Sequence, residues 1–178
     1  MSATAPTHPA TSWTPPDGPV TWHYVCNDPV LRELPYKLEL DRFGRILMSP
    51  ASTRHGRLQY RIARLLDDAL EGGGVGVETA VRTAEGIRVP DVVWMSDAFV
   101  RALPEDDEVF ETAPEVCVEV MSPSNPWAEM EEKVTLYLAK GAQEVWICEP
   151  DGTLRFFGHE GERERSALVP GAPAAVTL

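Results

Sequence analysis

Two carboxylates in this sequence fall where an ordinary hydrophobic core has no use for them. In the run PEVCVEVM, Val116, Val118 and Val120 point to one face of a strand and Glu119 to the other, within a segment apolar enough to be interior. An unpartnered buried charge is unfavourable by several kcal/mol, so Glu119 must be paired, protonated, open to a cleft or bound to a metal. Asp91, in VPDVVWM, poses the same problem: a valine-rich strand follows it directly, and Pro90 marks a strand start or an edge. Two such acids on neighbouring strands form an oxygen donor pair suited to Mg²⁺ or Mn²⁺.

A third group completes a chemistry. The chain has three lysines, Lys37, Lys133 and Lys140. Glu119 lies a few residues before its strand end, at roughly 3.3 Å each, and Lys133 about seven residues down the returning helix, at roughly 1.5 Å each. Both distances come to about 10 Å, which brings the amine level with the acids. There it could orient a water and offset charge on a scissile phosphate. The alternative on spacing alone is a solvated helix lysine paired with Glu129, four residues earlier.

The elements that must position these groups can be read along the chain. YKLEL from Tyr36, the turn DRFG and RILM predict a hairpin. A helix follows, capped by Ser52 or Thr53, with Leu58, Ile62, Leu65, Leu66 and Ala69 on its core face and Gly72 at its end. Gly72 to Gly76 follows a helix and lacks a phosphate-loop frame, so it reads as a turn. Strands are expected over Val75–Thr83, Val89–Met95 and Glu115–Met121, with the acidic Glu105–Glu108 as a solvated loop. A second helix starts after Asn125, with Pro126 at its first position, and runs to Lys140; strands over Glu144–Cys148 and Thr153–Phe157 close the pattern. This order predicts a mixed α/β arrangement around one sheet, without regular βαβ alternation. Residues 1–19 carry five prolines among small polar residues and read as a disordered arm in which His8 and Trp13 have no role, leaving 20–178 as the domain.

Composition narrows the function. A net charge of -12 argues against a broadly basic nucleic-acid-binding surface, though not against a local basic groove. Cys26, Cys117 and Cys148 are widely spaced and read as free thiols, and no Cys/His cluster suggests zinc. With no long apolar run and no leader-like start, a soluble cytoplasmic protein without membrane contact is expected.

The run SPSNPWAEMEEKVTLYLAKGAQEVWI, after PEVCVEV and preceded by VPDVVW, closely resembles the Uma-two family within the PD-(D/E)XK superfamily. Glu129, Lys133, Tyr137, Gly141 and Trp146 occupy that family's motif positions, and MSPASTRHGRL places His55 in its histidine slot. The similarity spans about residues 36 to 157. It implies a restriction-endonuclease-like α/β fold, a central mixed sheet flanked by helices, and a Mg²⁺- or Mn²⁺-dependent endonuclease acting on nucleic acid, DNA first; symmetric cutting of two strands adds the expectation of a homodimer. By the same resemblance Asp91 and Glu119 are the metal-binding acids and Lys133 the catalytic lysine, with His55, Glu78 and Glu129 as supporting candidates. Met121 stands where the wider superfamily has a lysine two residues after the second acid, so catalysis would depend on Lys133 reaching in from the helix. The alternative is a catalytically silent member acting as an interaction or regulatory protein. A serine hydrolase built on Ser122 or Ser124 lacks the required nucleophile elbow.

Overall fold

The computed structural model describes residues 16–50, 52–104 and 108–178. Most of the expected arm, with His8 and Trp13, and positions 105–107 of the acidic loop lie outside the described residues. In chain order the elements are α1 (Trp22–Asn27), a 3-10 turn (Leu31–Glu33), β1 (Tyr36–Asp41), β2 (Ile46–Pro50), α2 (Thr53–Ala69), β3 (Gly73–Val77), β4 (Val81–Thr83) and β5 (Gly86–Arg88). Then come β6 (Val92–Ser96), α3 (Asp97–Ala102), β7 (Val116–Val120), α4 (Trp127–Ala139), β8 (Glu144–Cys148), β9 (Leu154–Gly158) and β10 (Gly161–Arg163).

The strands form two sheets rather than one. A six-stranded mixed sheet, ordered β10-β9-β8-β7-β6-β3, is the centre of the molecule, with β7 and β8 its parallel pair. Alternation along its strands gives it two apolar faces. Val92, Trp94, Val116, Val118, Val120 and Trp146 pack with Leu58, Ile62 and Leu66 of α2, while Val93, Cys117, Val145 and Ile147 pack with Met130, Val134 and Tyr137 of α4. Ser52 caps α2 by accepting a hydrogen bond from the His55 amide, whereas Pro126 stands just before α4 rather than in its first turn.

The second sheet, ordered β2-β1-β5-β4, arises because the strand expected over Val75–Thr83 is two strands. Glu78, with a positive φ of 50°, turns the chain between them, a conformation uncommon away from glycine that no strand propensity reveals. The β4–β5 turn then returns beside β1. Gly86 makes this possible: its φ is 108°, and a Cβ there would lie 2.2 Å from the Leu40 carbonyl oxygen. The chain crosses from one sheet to the other through Val89, Pro90 and Asp91, so Asp91 sits at the seam between them.

One further buried acid is structural. Glu144 on β8 is fully enclosed and accepts from the Ser166 hydroxyl at 2.6 Å, the Ala167 amide at 2.5 Å and the Trp146 indole at 3.0 Å. This clasps the C-terminal segment, whose Val169 and Val176 enter the core. Glu144→Ala should cost about 3 kcal/mol by stranding these donors. The effect should appear as a lower denaturation midpoint with an unchanged slope; a shift within about 0.5 kcal/mol would show the clasp to be dispensable.

Candidate active site at the seam of the two sheets

Five charged side chains from three elements (β1, β7 and α4) and the seam converge at the end of β7. Glu119 projects from β7 toward α4, as the alternation required, and is 2% exposed. Its Oε1 accepts from the Tyr137 hydroxyl at 2.6 Å and from Lys133 Nζ at 3.2 Å. Its Oε2 accepts from Lys37 Nζ at 3.0 Å. Asp91 is equally buried: its Oδ2 accepts from the Val120 amide at 2.6 Å and its Oδ1 from Lys37 Nζ at 2.8 Å. Glu39 of β1 closes the ring, its Oε1 accepting from Lys133 Nζ at 3.0 Å and from the Val89 amide at 2.8 Å.

Secondary structure sets each position. Lys37 and Glu39, two apart on β1, share one face because the strand repeats every two residues, and Leu38 and Leu40 occupy the core-facing side. Lys133 and Tyr137, four apart on α4, share the helix face that looks down on the six-stranded sheet. Asp91 is anchored through its backbone as well: its amide donates to the Val118 carbonyl, and its carbonyl accepts from the Gln59 side chain at 2.8 Å.

The supporting candidates fare unequally. His55, on the first turn of α2, places Nε2 3.2 Å from Asp91 Oδ1, while its Nδ1 is buried without a protein partner. Glu78 lines the same small cavity from the rim, and its amide donates to the Asp91 carbonyl at 3.3 Å. Glu129 also lines the cavity but does not pair with Lys133; it accepts from Asn125 at 3.0 Å instead. Lys133 is turned down into the buried carboxylates, where water does not compete, so neither the solvated-lysine reading nor the expected Glu129 partnership holds. Lys37, Glu39 and Tyr137 were not among the candidates.

The shared cavity is about 30 Å³, room for something the size of a water molecule. Burial alone would raise every carboxyl here. At Asp91 the Lys37 ammonium, followed by the His55 hydrogen bond, overcomes burial and holds the group well below the usual carboxylate range. Glu39 is likewise lowered, against its burial, by Lys133 and Lys37. Burial prevails at Glu119, which is raised despite Lys133 and Lys37, with Asp91 and Glu39 adding repulsion. Lys37 is raised, because Glu119 and Asp91 outweigh its desolvation. Outside the site, the free Cys148 thiol is pushed up to about 12, chiefly by burial.

Among the described residues no three His, Cys, Asp or Glu side chains stand ready as a metal cage. The donor chemistry nonetheless fits a hard divalent ion. Mg²⁺ typically takes one or two carboxylates and fills its remaining positions with water and phosphate oxygens. Asp91 and Glu119 already share one cation, the Lys37 ammonium.

A central mixed sheet between helices, with buried acids and a lysine meeting at a strand end, is the restriction-endonuclease-like α/β fold. It resembles a crystal structure titled as a "putative nuclease belonging to DUF820" from Anabaena variabilis, with a TM-score of 0.62 and 20% identity over 78% of this chain and 83% of that one. The chain belongs to the Uma2 family, described as "Putative restriction endonuclease", whose model matches residues 29–172. No curated protein matches.

A group lowered in the folded state stabilises the fold fully above its ordinary value, and that contribution is lost as pH falls toward the folded value. In chelator-treated protein, the melting-temperature gap between wild type and Asp91→Asn should therefore be wide at neutral pH and narrow below about pH 4. A gap independent of pH would contradict the charged pairing of Asp91 with Lys37.

Proposed function

We propose that the protein is a divalent-metal-dependent endonuclease that hydrolyses phosphodiester bonds of nucleic acid, DNA first. The observation that carries this reading is the placement of the Asp91 and Glu119 oxygens around one shared cation, with Lys133 on the far side of Glu119. A Mg²⁺ or Mn²⁺ ion held by Asp91 and Glu119 would lower the pKa of a bound water and polarise the phosphoryl group. The chain's own residues do the rest. Tyr137 and Lys133 fix Glu119 in one rotamer, the Val120 amide fixes Asp91, and Glu39 holds the Lys133 ammonium facing the cavity. That ammonium is placed to orient the attacking water. As the water oxygen bonds to phosphorus, its proton would pass to solvent, the P–O bond to the leaving group would break with that oxygen taking a proton from solvent, and Lys133 would offset the developing negative charge.

An exposed basic strip occurs despite the acidic composition, with Arg54 also donating to the Pro150 carbonyl and Arg64 pairing with Asp68. Arg54, Arg57, Arg61 and Arg64 are exposed on α2 and fall within about 80° of arc at 100° per residue. The stripe begins on the first turn of α2, on a face turned away from His55 and Gln59, which contact Asp91. A locally basic strip of this kind binds phosphates even on a protein of net negative charge. One observation favours the rival reading, a catalytically silent interaction protein: lysines already neutralise most of the acidic charge in a small cavity.

Plasmid, single-stranded DNA and RNA incubated with Mg²⁺ or Mn²⁺ separate the two. The expected result is cleavage abolished by chelation and reduced about 100-fold or more in both Asp91→Asn and Lys133→Met. Absence of cleavage on every substrate, or equal cleavage by wild type and Asp91→Asn, would contradict the nuclease reading.

A further inference from the structure

We propose that Lys37 is the resident cation of this site: its ammonium holds the place between Asp91 and Glu119 that a divalent ion takes over, and once released it contacts the substrate phosphate at the cavity mouth. The proposal rests on the metal-dependent reading given above.

The hydrogen-bond pattern leaves little choice of position. Asp91 Oδ2 is committed to the Val120 amide, and Glu119 Oε1 to Tyr137 and Lys133. The oxygens shared between the two acids are Asp91 Oδ1 and Glu119 Oε2, and Lys37 Nζ lies 2.8 Å and 3.0 Å from them. An ion bound to both acids through these oxygens must displace that amine.

Charge and reach both permit the exchange. Three carboxylates face two ammonium groups in the ring. A divalent ion in place of Lys37, together with Lys133, balances the three carboxylates and leaves the released Lys37 ammonium as the one positive charge that complements a phosphodiester. Lys37 lies near the outer end of β1, opposite Ser49 of β2, and its side chain is 11% exposed. Ser49 and Pro50 line the cavity beside it. Its four-carbon stem can rotate toward that opening without moving the strand, whereas Lys133 stays tied to Glu39 on the inner side. In the absence of metal, Lys37 keeps two buried acids from repelling one another.

Because the full chain has three lysines, a brief pulse of an amine-acetylating reagent followed by peptide mass spectrometry reports on each. Lys37 labelling should rise about tenfold on adding Mn²⁺, with Lys133 protected throughout and Lys140 unchanged. By calorimetry Lys37→Met should bind Mn²⁺ about tenfold more tightly than wild type, since no internal cation competes. If that variant does not fold, the labelling of wild type decides. Mn²⁺ binding to wild type with Lys37 still protected, or with no gain in Lys37→Met, overturns the role of Lys37 and leaves the metal site standing. Absence of Mn²⁺ binding in either protein overturns both readings.

Discussion

A carboxylate on the inner face of a fully buried strand is the constraint around which this structure is arranged. Glu119 cannot be ionised among Cys117, Val134 and Ile147 unless cations and hydrogen-bond donors reach it. They come from elements distant in sequence: Lys37 from β1, and Lys133 and Tyr137 from α4. Each of these brings its own requirement. Lys133 needs Glu39 as a second partner, Lys37 needs Asp91, and Asp91 needs the Val120 amide and a fixed backbone.

The two-sheet architecture follows the same demand. Turning the chain at Glu78 and crossing back through Asp91 brings the β1 side chains Lys37 and Glu39 of the four-stranded sheet to the end of β7 in the six-stranded one. The charges meet along that seam. Replacing a buried ionic cluster by apolar side chains is often neutral or stabilising, so stability alone gives no reason for five charges here. The function proposed for the seam supplies a reason, and the cavity beside the charges agrees with it.

Glu119 was legible because alternation in PEVCVEVM isolates it from the valines, and Lys133 because strand rise and helix rise bring it to the same level. Lys37 and Glu39 were not. Their alternation against Leu38 and Leu40 reads equally well as the solvated face of a hairpin, and the contact to Glu119 spans 82 positions that only the second sheet brings together. Tyr137 held a family motif position, but its apolar neighbours gave no sign that its hydroxyl meets Glu119. The division of Val75–Thr83 into two strands was hidden because it turns on a glutamate in a conformation that sequence patterns assign to glycine. Lys133 was open to two readings at the sequence level, and its burial decides between them.

Anomalous diffraction from crystals of the full chain equilibrated with Mn²⁺ bears most directly on the shared-cation geometry. The proposed exchange predicts one manganese peak within coordination distance of an Asp91 and a Glu119 oxygen, with the Lys37 amine drawn away and Lys133 still between Glu39 and Glu119. No peak at that position, with Lys37 bridging both acids at saturating metal, would contradict it.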